Sequence, residues 1–327
     1  MNHVLAFRKK LDEVLLPIIP AGSNVAIFDF PNYGNVGDSA IWLGQKSFLE
    51  QHKIKTIHVD DASPELHELP SLPDKTIILI TGGGNFGDIY LNHQALRERL
   101  ISAYPDKRIV QFPQSIHFNH QENARSFSQK LNQHSDFHII TRDEISLAWA
   151  QYINPDRSYL APDIALYLEK LPVSQTSTRK VIALLRNDRE KHFKTTESPS
   201  DVITADWTKE NKLIKRSIKL LTKLERKLFP HKLSSRTRIA AYDAAATLRL
   251  RRGCRFLASG SVVITDRLHG HILSTMMGIP NIVLDNSYGK IASFRKKWLT
   301  GEADELCKVA NSYAQAVNNA RAWNDRL

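Results

Sequence analysis

The chain has only two cysteines, Cys254 and Cys307, and they stand in no metal-binding spacing. That excludes a disulfide framework and a cysteine-based zinc site, and it fits a reducing compartment. Long apolar runs are missing as well: none approaches the roughly 20 residues that a membrane-spanning helix needs. The N-terminus carries Arg8, Lys9, Lys10, Asp12 and Glu13 where a signal peptide needs unbroken apolar sequence. HExxH does not occur, so the histidines point to no metal site of that kind. Repeats at solenoid periods and low-complexity tracts are absent too. These absences lead us to expect a cytoplasmic protein.

Acidic residues run short in one place. The net charge is +11, and all of it lies between Lys209 and Arg252, where seven Lys and seven Arg meet only Glu210, Glu225 and Asp243. Within that segment Ile214, Ile218, Leu221, Leu224 and Leu228 recur at helical spacing. Two readings stay open: an amphipathic helix packed on its own domain, or one lying on an anionic membrane surface. Nucleic acid is not the expected partner, because no aromatic stacking residues interleave with the cations.

The 327 residues are more than one core usually holds, and 42% hydrophobic content speaks for a folded chain. Apolar runs bounded by helical stretches alternate along the first half: NVAIFDF (24–30), KTIHVD (55–60), KTIILIT (75–81), KRIVQFPQ (107–114) and DFHIITRD (136–143). Strands of this kind, buried on both faces and joined by helices, make a parallel α/β sheet. The pattern resets after a polar joint at 171–180. VIALLRND, FLASGSVVIT and IPNIVLD (279–285) then supply further strands, and ELCKVANSYAQAVNNARAW reads as a last helix.

Ligands of open α/β sheets sit beyond the carboxyl ends of the strands, so the junctions there are the places to look. In Asn32-Tyr33-Gly34-Asn35-Val36-Gly37-Asp38, Asp38 could cap a helix or do chemistry. Gly82-Gly83-Gly84-Asn85-Phe86-Gly87-Asp88 matches G-x-G-x-x-G. The acidic partner of a dinucleotide site should end the next strand, however, and Asp106 precedes it. Arg142 and Asp143 have the look of a local pair and cap. The richest junction is TDRLHGH (265–271). Arg267 stands where a strand hands over to a helix N-terminus, His269 can donate a proton, and Lys290 follows in the next turn. Together they favour a small, highly charged anion.

Taken in order, NYGNVGDSAI (32–41), TGGGNFGD (81–88), FPQSIHF (112–118), TRDEIS (141–146), APDIAL (161–166), LLRND (184–188), TDRLHG (265–270) and GIPNIVLDNSYGK (278–290) resemble the polysaccharide pyruvyl transferase family. Nothing in 190–252 takes part in the resemblance. The family implies an α/β fold of two Rossmann-like domains facing a cleft, as in GT-B glycosyltransferases. Residues 1–170 would form the acceptor side, with a C-terminal helix, 303–327, packed back on it. Residues 171–302 would form the donor side and carry the basic helical segment 209–252. The implied reaction moves pyruvate from phosphoenolpyruvate to two hydroxyls of a sugar, forming a ketal and releasing phosphate. Phosphoenolpyruvate is then a co-substrate and no cofactor is expected. The acceptor would belong to an exopolysaccharide or cell-wall glycan on a lipid carrier, and the enzyme would work at the inner membrane face.

Under that reading Arg186, Arg267 and Lys290 neutralise the donor, and His269 protonates its methylene. Asp38, or failing that Asp88, deprotonates the acceptor. Asn35, Gly84, Asn85 and Gln114 hold the sugar. A nucleotide-sugar glycosyltransferase of GT-B type is the near alternative. A non-enzymatic cationic membrane or nucleic-acid binding protein is the distant one.

Overall fold

The structure is a computed structural model. It describes residues 2–62, 69–169, 171, 180–187, 199–208, 210, 212–228, 233–285, 290–299 and 305–326. Most of the expected joint at 171–180 lies outside the described residues, as do Asp188 and the turn 286–289.

Two sheets organise the chain. The first joins β1 (Asn24–Phe30), β2 (Lys55–Asp61), β3 (Ile77–Ile80), β5 (Ile109–His117), β6 (Phe137–Thr141) and β7 (Ser158–Leu160) in the order β2-β1-β3-β5-β6-β7, with β4 (Gly83–Gly87) paired to β5. The second runs β12-β11-β10-β8-β9. Its strands are β8 (Val181–Leu184), β9 (Val202–Ala205), β10 (Val262–Thr265), β11 (Asn281–Val283) and β12 (Cys307–Val309). Every pairing is parallel. Parallel neighbours need crossovers, and in the first sheet α2 (Val36–Gln51), α3 (Leu91–Ala103), α4 (Gln121–Leu131) and α5 (Glu144–Ile153) supply them.

Length suggests separate cores, but the inner one is shared. Val25, Ile27, Leu79 and Val110 of the first sheet belong to one apolar cluster with Ile182, Leu184 and Val263 of the second. Ile41 and Trp42 of α2, and Tyr242, Leu250 and Leu257 of α7 (Arg236–Ala258), bridge them. The two helices approach closely: a Cβ on Gly253 would stand 2.3 Å from Val36 Cγ1. Trp42 Nε1–H donates to Asp243 at 2.8 Å across the same contact.

Three expectations need correction. The basic segment is not one helix. Its second half, α7, is core; Arg249 is buried, donates to the Pro31 carbonyl at 2.9 Å and pairs with Glu210. Only α6 (Lys212–Leu228) shows a broad exposed face. Second, the glycine run 83–87, expected as a junction between strand and helix, is itself a strand, with Gly83 opposite Gln114 and Gly87 opposite His117. Gly87 takes φ +123°, and a Cβ there would collide with the His117 carbonyl. Third, the C-terminal stretch adds β12 to the second sheet. Its helix α10 (Tyr313–Asn324) seats Tyr313, Ala316, Val317 and Ala320 against Val181, Val262, Ile264 and Ile282. The apolar face of α10 matches the open face of those strands, so it does not pack back on the first sheet.

Candidate active site

A cavity of about 350 Å³ lies where the C-terminal ends of the two sheets face each other. The first sheet contributes Tyr33, Asn35 and Asp38 from the β1–α2 junction, Gly84 and Asn85 from β4, Tyr90 and His93 from the start of α3, and Arg142 beyond β6. The second contributes Arg186 after β8, Trp207 after β9, and Arg267, Leu268 and His269 at the start of α8 (Leu268–Met276).

The second wall is cationic and oriented. Arg267 donates to Asp206 at 2.8 Å. The Arg186 backbone N–H donates to Asp266 at 2.8 Å. Burial pushes the Asp266 carboxyl up to about 6, against the pull of that N–H and of Arg267 and Arg186. His269 reaches back across the cleft, with Nε2 3.2 Å from Asp163. Asp163 is fully buried and also accepts from Arg142 at 2.6 Å. Burial alone would raise that carboxyl, but His269 and Arg142 hold it far below the usual range. As an acceptor only, Asp163 fixes the proton on Nε2 of His269. The other ring nitrogen lies against Gly37: a Cβ there would stand 2.5 Å from Nδ1. Glycine at 37 is therefore what leaves His269 room. Trp207 Nε1–H is buried and has no acceptor among the described residues.

The first wall rests on a buried polar network. Asp29, at the end of β1, takes φ +71°, a strained setting for a non-glycine residue. Its carboxylate accepts from His93 Nδ1 at 2.7 Å and from Asn85 Nδ2 at 3.0 Å. Burial would raise Asp29, yet His93, Arg97 and Asn85 hold it below its ordinary value. Arg97, wholly buried over the Phe86 ring, is pulled down to about 10 by desolvation. It donates to Asn85 Oδ1 at 2.5 Å and to Gln111 at 2.7 Å. Tyr33 is raised well above the usual phenol range, by burial first and then by the nearby Asp38 carboxylate. It remains a neutral donor.

Of the residues proposed from sequence, Asn35, Asp38, Gly84, Asn85, Arg186, Arg267 and His269 all line this one cavity. Asp38 is not the helix cap. Asn35 caps α2 by accepting from the Gly37 N–H, and its amide donates to Asp38 at 2.8 Å, so Asp38 sits in the first turn beside the cleft. Gln114 does not face the cavity. It is fully buried and donates to Asn85 Oδ1 at 2.9 Å, which makes it a support for Asn85. Asp88 is elsewhere: its carboxylate accepts from the Asn119 and His120 backbone and from Asn123, holding the start of α4. Those donors lower its pKa despite partial burial, which raises it. Lys290 begins α9 (Lys290–Trp298), and its side chain lies outside the described residues. Asp143 caps α5 as expected, but Arg142 pairs with Asp163 and not with its neighbour.

The fold is that of an α/β protein with a polar cavity at the carboxyl ends of its parallel strands. The chain belongs to the polysaccharide pyruvyl transferase family, whose sequence profile matches residues 35–288. EpsO of Bacillus subtilis (strain 168) is 33% identical over 305 residues, 92% of either chain. Pyruvyl transferase 1 of Schizosaccharomyces pombe is 32% identical over 317 residues, covering 92% of this chain and 76% of that one. A crystal structure of an uncharacterized Klebsiella pneumoniae protein shares the fold, with a TM-score of 0.60 at 18% identity over 94% of this chain and 99% of the other. The chain is therefore a transferase acting in polysaccharide modification.

Sequence reasoning gave His93, Asp29, Tyr33 and Trp207 no role. His93 and Asp29 meet across 64 positions, and nothing in either neighbourhood marks them. Asp163 and Arg142 stood in noted stretches, but only the folded chain joins them to His269.

Proposed function

We propose that the cleft transfers pyruvate from phosphoenolpyruvate to two hydroxyls of a sugar, making a pyruvate ketal and releasing phosphate. The sugar belongs to an exopolysaccharide or cell-wall glycan carried on a lipid, and the two sheets act as donor-side and acceptor-side Rossmann-like units. One observation carries this reading. Arg186, Arg267 and a carboxylate-held histidine share one wall, and hydrogen-bonding groups with two possible bases share the other. Phosphoenolpyruvate brings a phosphate and a carboxylate close together, and a pair of guanidiniums suits both.

The chemistry follows from the walls. His269, its Nε2–H kept on Asp163, gives the proton on Nδ1 to the terminal methylene, and C2 becomes oxocarbenium-like. An acceptor hydroxyl bonds to C2 as its proton passes to a base on the opposite wall. The C2–O bond to phosphate then breaks, and the second hydroxyl closes the ketal as its proton passes to His269, which regains the one it gave. Asp38 already accepts from the Asn35 amide. In contrast, His93 gives its Nδ1–H to Asp29, and its Nε2 has no partner among the described residues. His93 therefore takes the first proton, with Asp38 orienting the acceptor. Prepositioned charge and orientation supply most of the acceleration.

Calorimetric titration with phosphoenolpyruvate, with nucleotide sugars and NAD as controls, tests the donor. The native protein should bind phosphoenolpyruvate alone, and Arg267→Ala should lose at least about tenfold in affinity, the scale of a charge-assisted hydrogen bond. Nucleotide-sugar binding in its place would turn the reading to a glycosyltransferase.

A further inference from the structure

Helix α6 carries an apolar stripe that the fold does not use. Its inward side is narrow: Ile218 and Thr222 are buried, and Thr222 meets the Tyr242 hydroxyl of α7 at 3.2 Å. Beside that seam Leu213, Leu220, Leu224 and Leu228 are 64%, 68%, 52% and 59% exposed. They recur at sevens and fours, which aligns them along one side of a helix. On the far side of the stripe stands a row of exposed cations, Lys212, Arg216, Lys219, Lys223 and Lys227. Glu225 is the only acidic residue of α6, and it is committed inward, accepting from the Ser235 N–H and hydroxyl.

We propose that α6 docks the enzyme on an anionic lipid surface, with the four leucines in the acyl boundary and the cationic row on the headgroups. The charge pattern selects this occupant. A second copy of α6 laid on the stripe would bring two cationic rows together, and a nucleic acid offers nothing to bury leucines. The helix is also well placed. It begins at Lys212, a few positions after Trp207 of the cleft wall, whose carbonyl accepts from Arg252 of α7 at 2.7 Å. Docking would bring the cleft mouth to the surface where a lipid-borne sugar lies. The inference goes beyond the donor assignment and does not depend on it, because vesicle binding is read without phosphoenolpyruvate.

Flotation with vesicles of phosphatidylcholine, alone or with about 30% phosphatidylglycerol, decides it. The full chain should float only with the anionic vesicles and release at about 0.5 M salt, where the screening length falls to a few ångströms. Leu220→Glu/Leu224→Glu should lower binding at least about tenfold with an unchanged melting curve, because both side chains are exposed. Lys219→Gln/Lys223→Gln should weaken the dependence on phosphatidylglycerol. Leu91→Glu, at an equally exposed leucine away from α6, should float as the native chain does. Full flotation of the Leu220/Leu224 variant, equal binding to neutral vesicles, or a leucine variant that only converts a dimer to a monomer would overturn the proposal.

Discussion

His269 and His93 face the same cavity, each held through one ring nitrogen by a buried aspartate on the first sheet. The arrangement suits a reaction that needs a proton given and a proton taken within one small space. His269→Ala should reduce turnover by about 10²–10⁴, and His93→Gln by a similar factor, while phosphoenolpyruvate binding survives in the second. Asp29→Asn should reproduce part of the His93 loss, and imidazole should rescue His93→Gly but not Asp29→Asn. A His93 variant with unaltered turnover in a coupled phosphate-release assay would hand the base role to Asp38. Asp266 carries a pH signature. Its folded carboxyl titrates near 6 and its unfolded one near 3.8, so the folded state binds the extra proton between those values. Stability should fall as pH rises through this window, by up to about 3 kcal/mol from this group. Asp266→Asn should therefore melt higher than the native chain at about pH 7.5 and show no such advantage at about pH 4. Most cavity residues were legible as types at strand ends: Arg267, His269, Asn35 and Asp38 announce a polar site. The buried carboxylates were not, because Asp163 reaches His269 and Asp29 reaches His93 only across the fold, from 106 and 64 positions away.

Elements were legible wherever burial on both faces left a long apolar run, as in β1, β3 and β6. They were obscured wherever tertiary packing overrode local chemistry. The glycines of β4 read as a turn, but close approach of β5 makes them a strand. Helices α6 and α7 read alike, as leucines among cations, and only packing separates them. Arg238 and Arg249 of α7 are buried under backbone carbonyls and carboxylates, whereas the leucines of α6 lie outside. The α2–α7 contact gives a direct test. Gly253→Leu would drive a side chain into Val36, and denaturant unfolding should show a loss of about 1–3 kcal/mol or more, the usual scale of overpacking. An unchanged midpoint would mean that the helices do not approach as described.

Across the molecule, the two sheets supply different halves of one cleft and share the apolar cluster that holds them together. The net charge of +11 divides between buried arginines that bind α7 to the first sheet and the exposed row of α6. Charge counting alone could not separate those uses, since a cation under a carbonyl and a cation in water contribute equally to the sum. No described helix is long and apolar enough to cross a membrane. The central claim is that Arg186, Arg267 and His269 form the donor wall. A crystal structure with phosphoenolpyruvate bound tests it most directly. Its phosphate and carboxylate should lie on the two arginines, with its methylene carbon within reach of His269. Phosphoenolpyruvate bound only on the Asn35–Asn85 wall, or a nucleotide displacing it from the arginines, would contradict it.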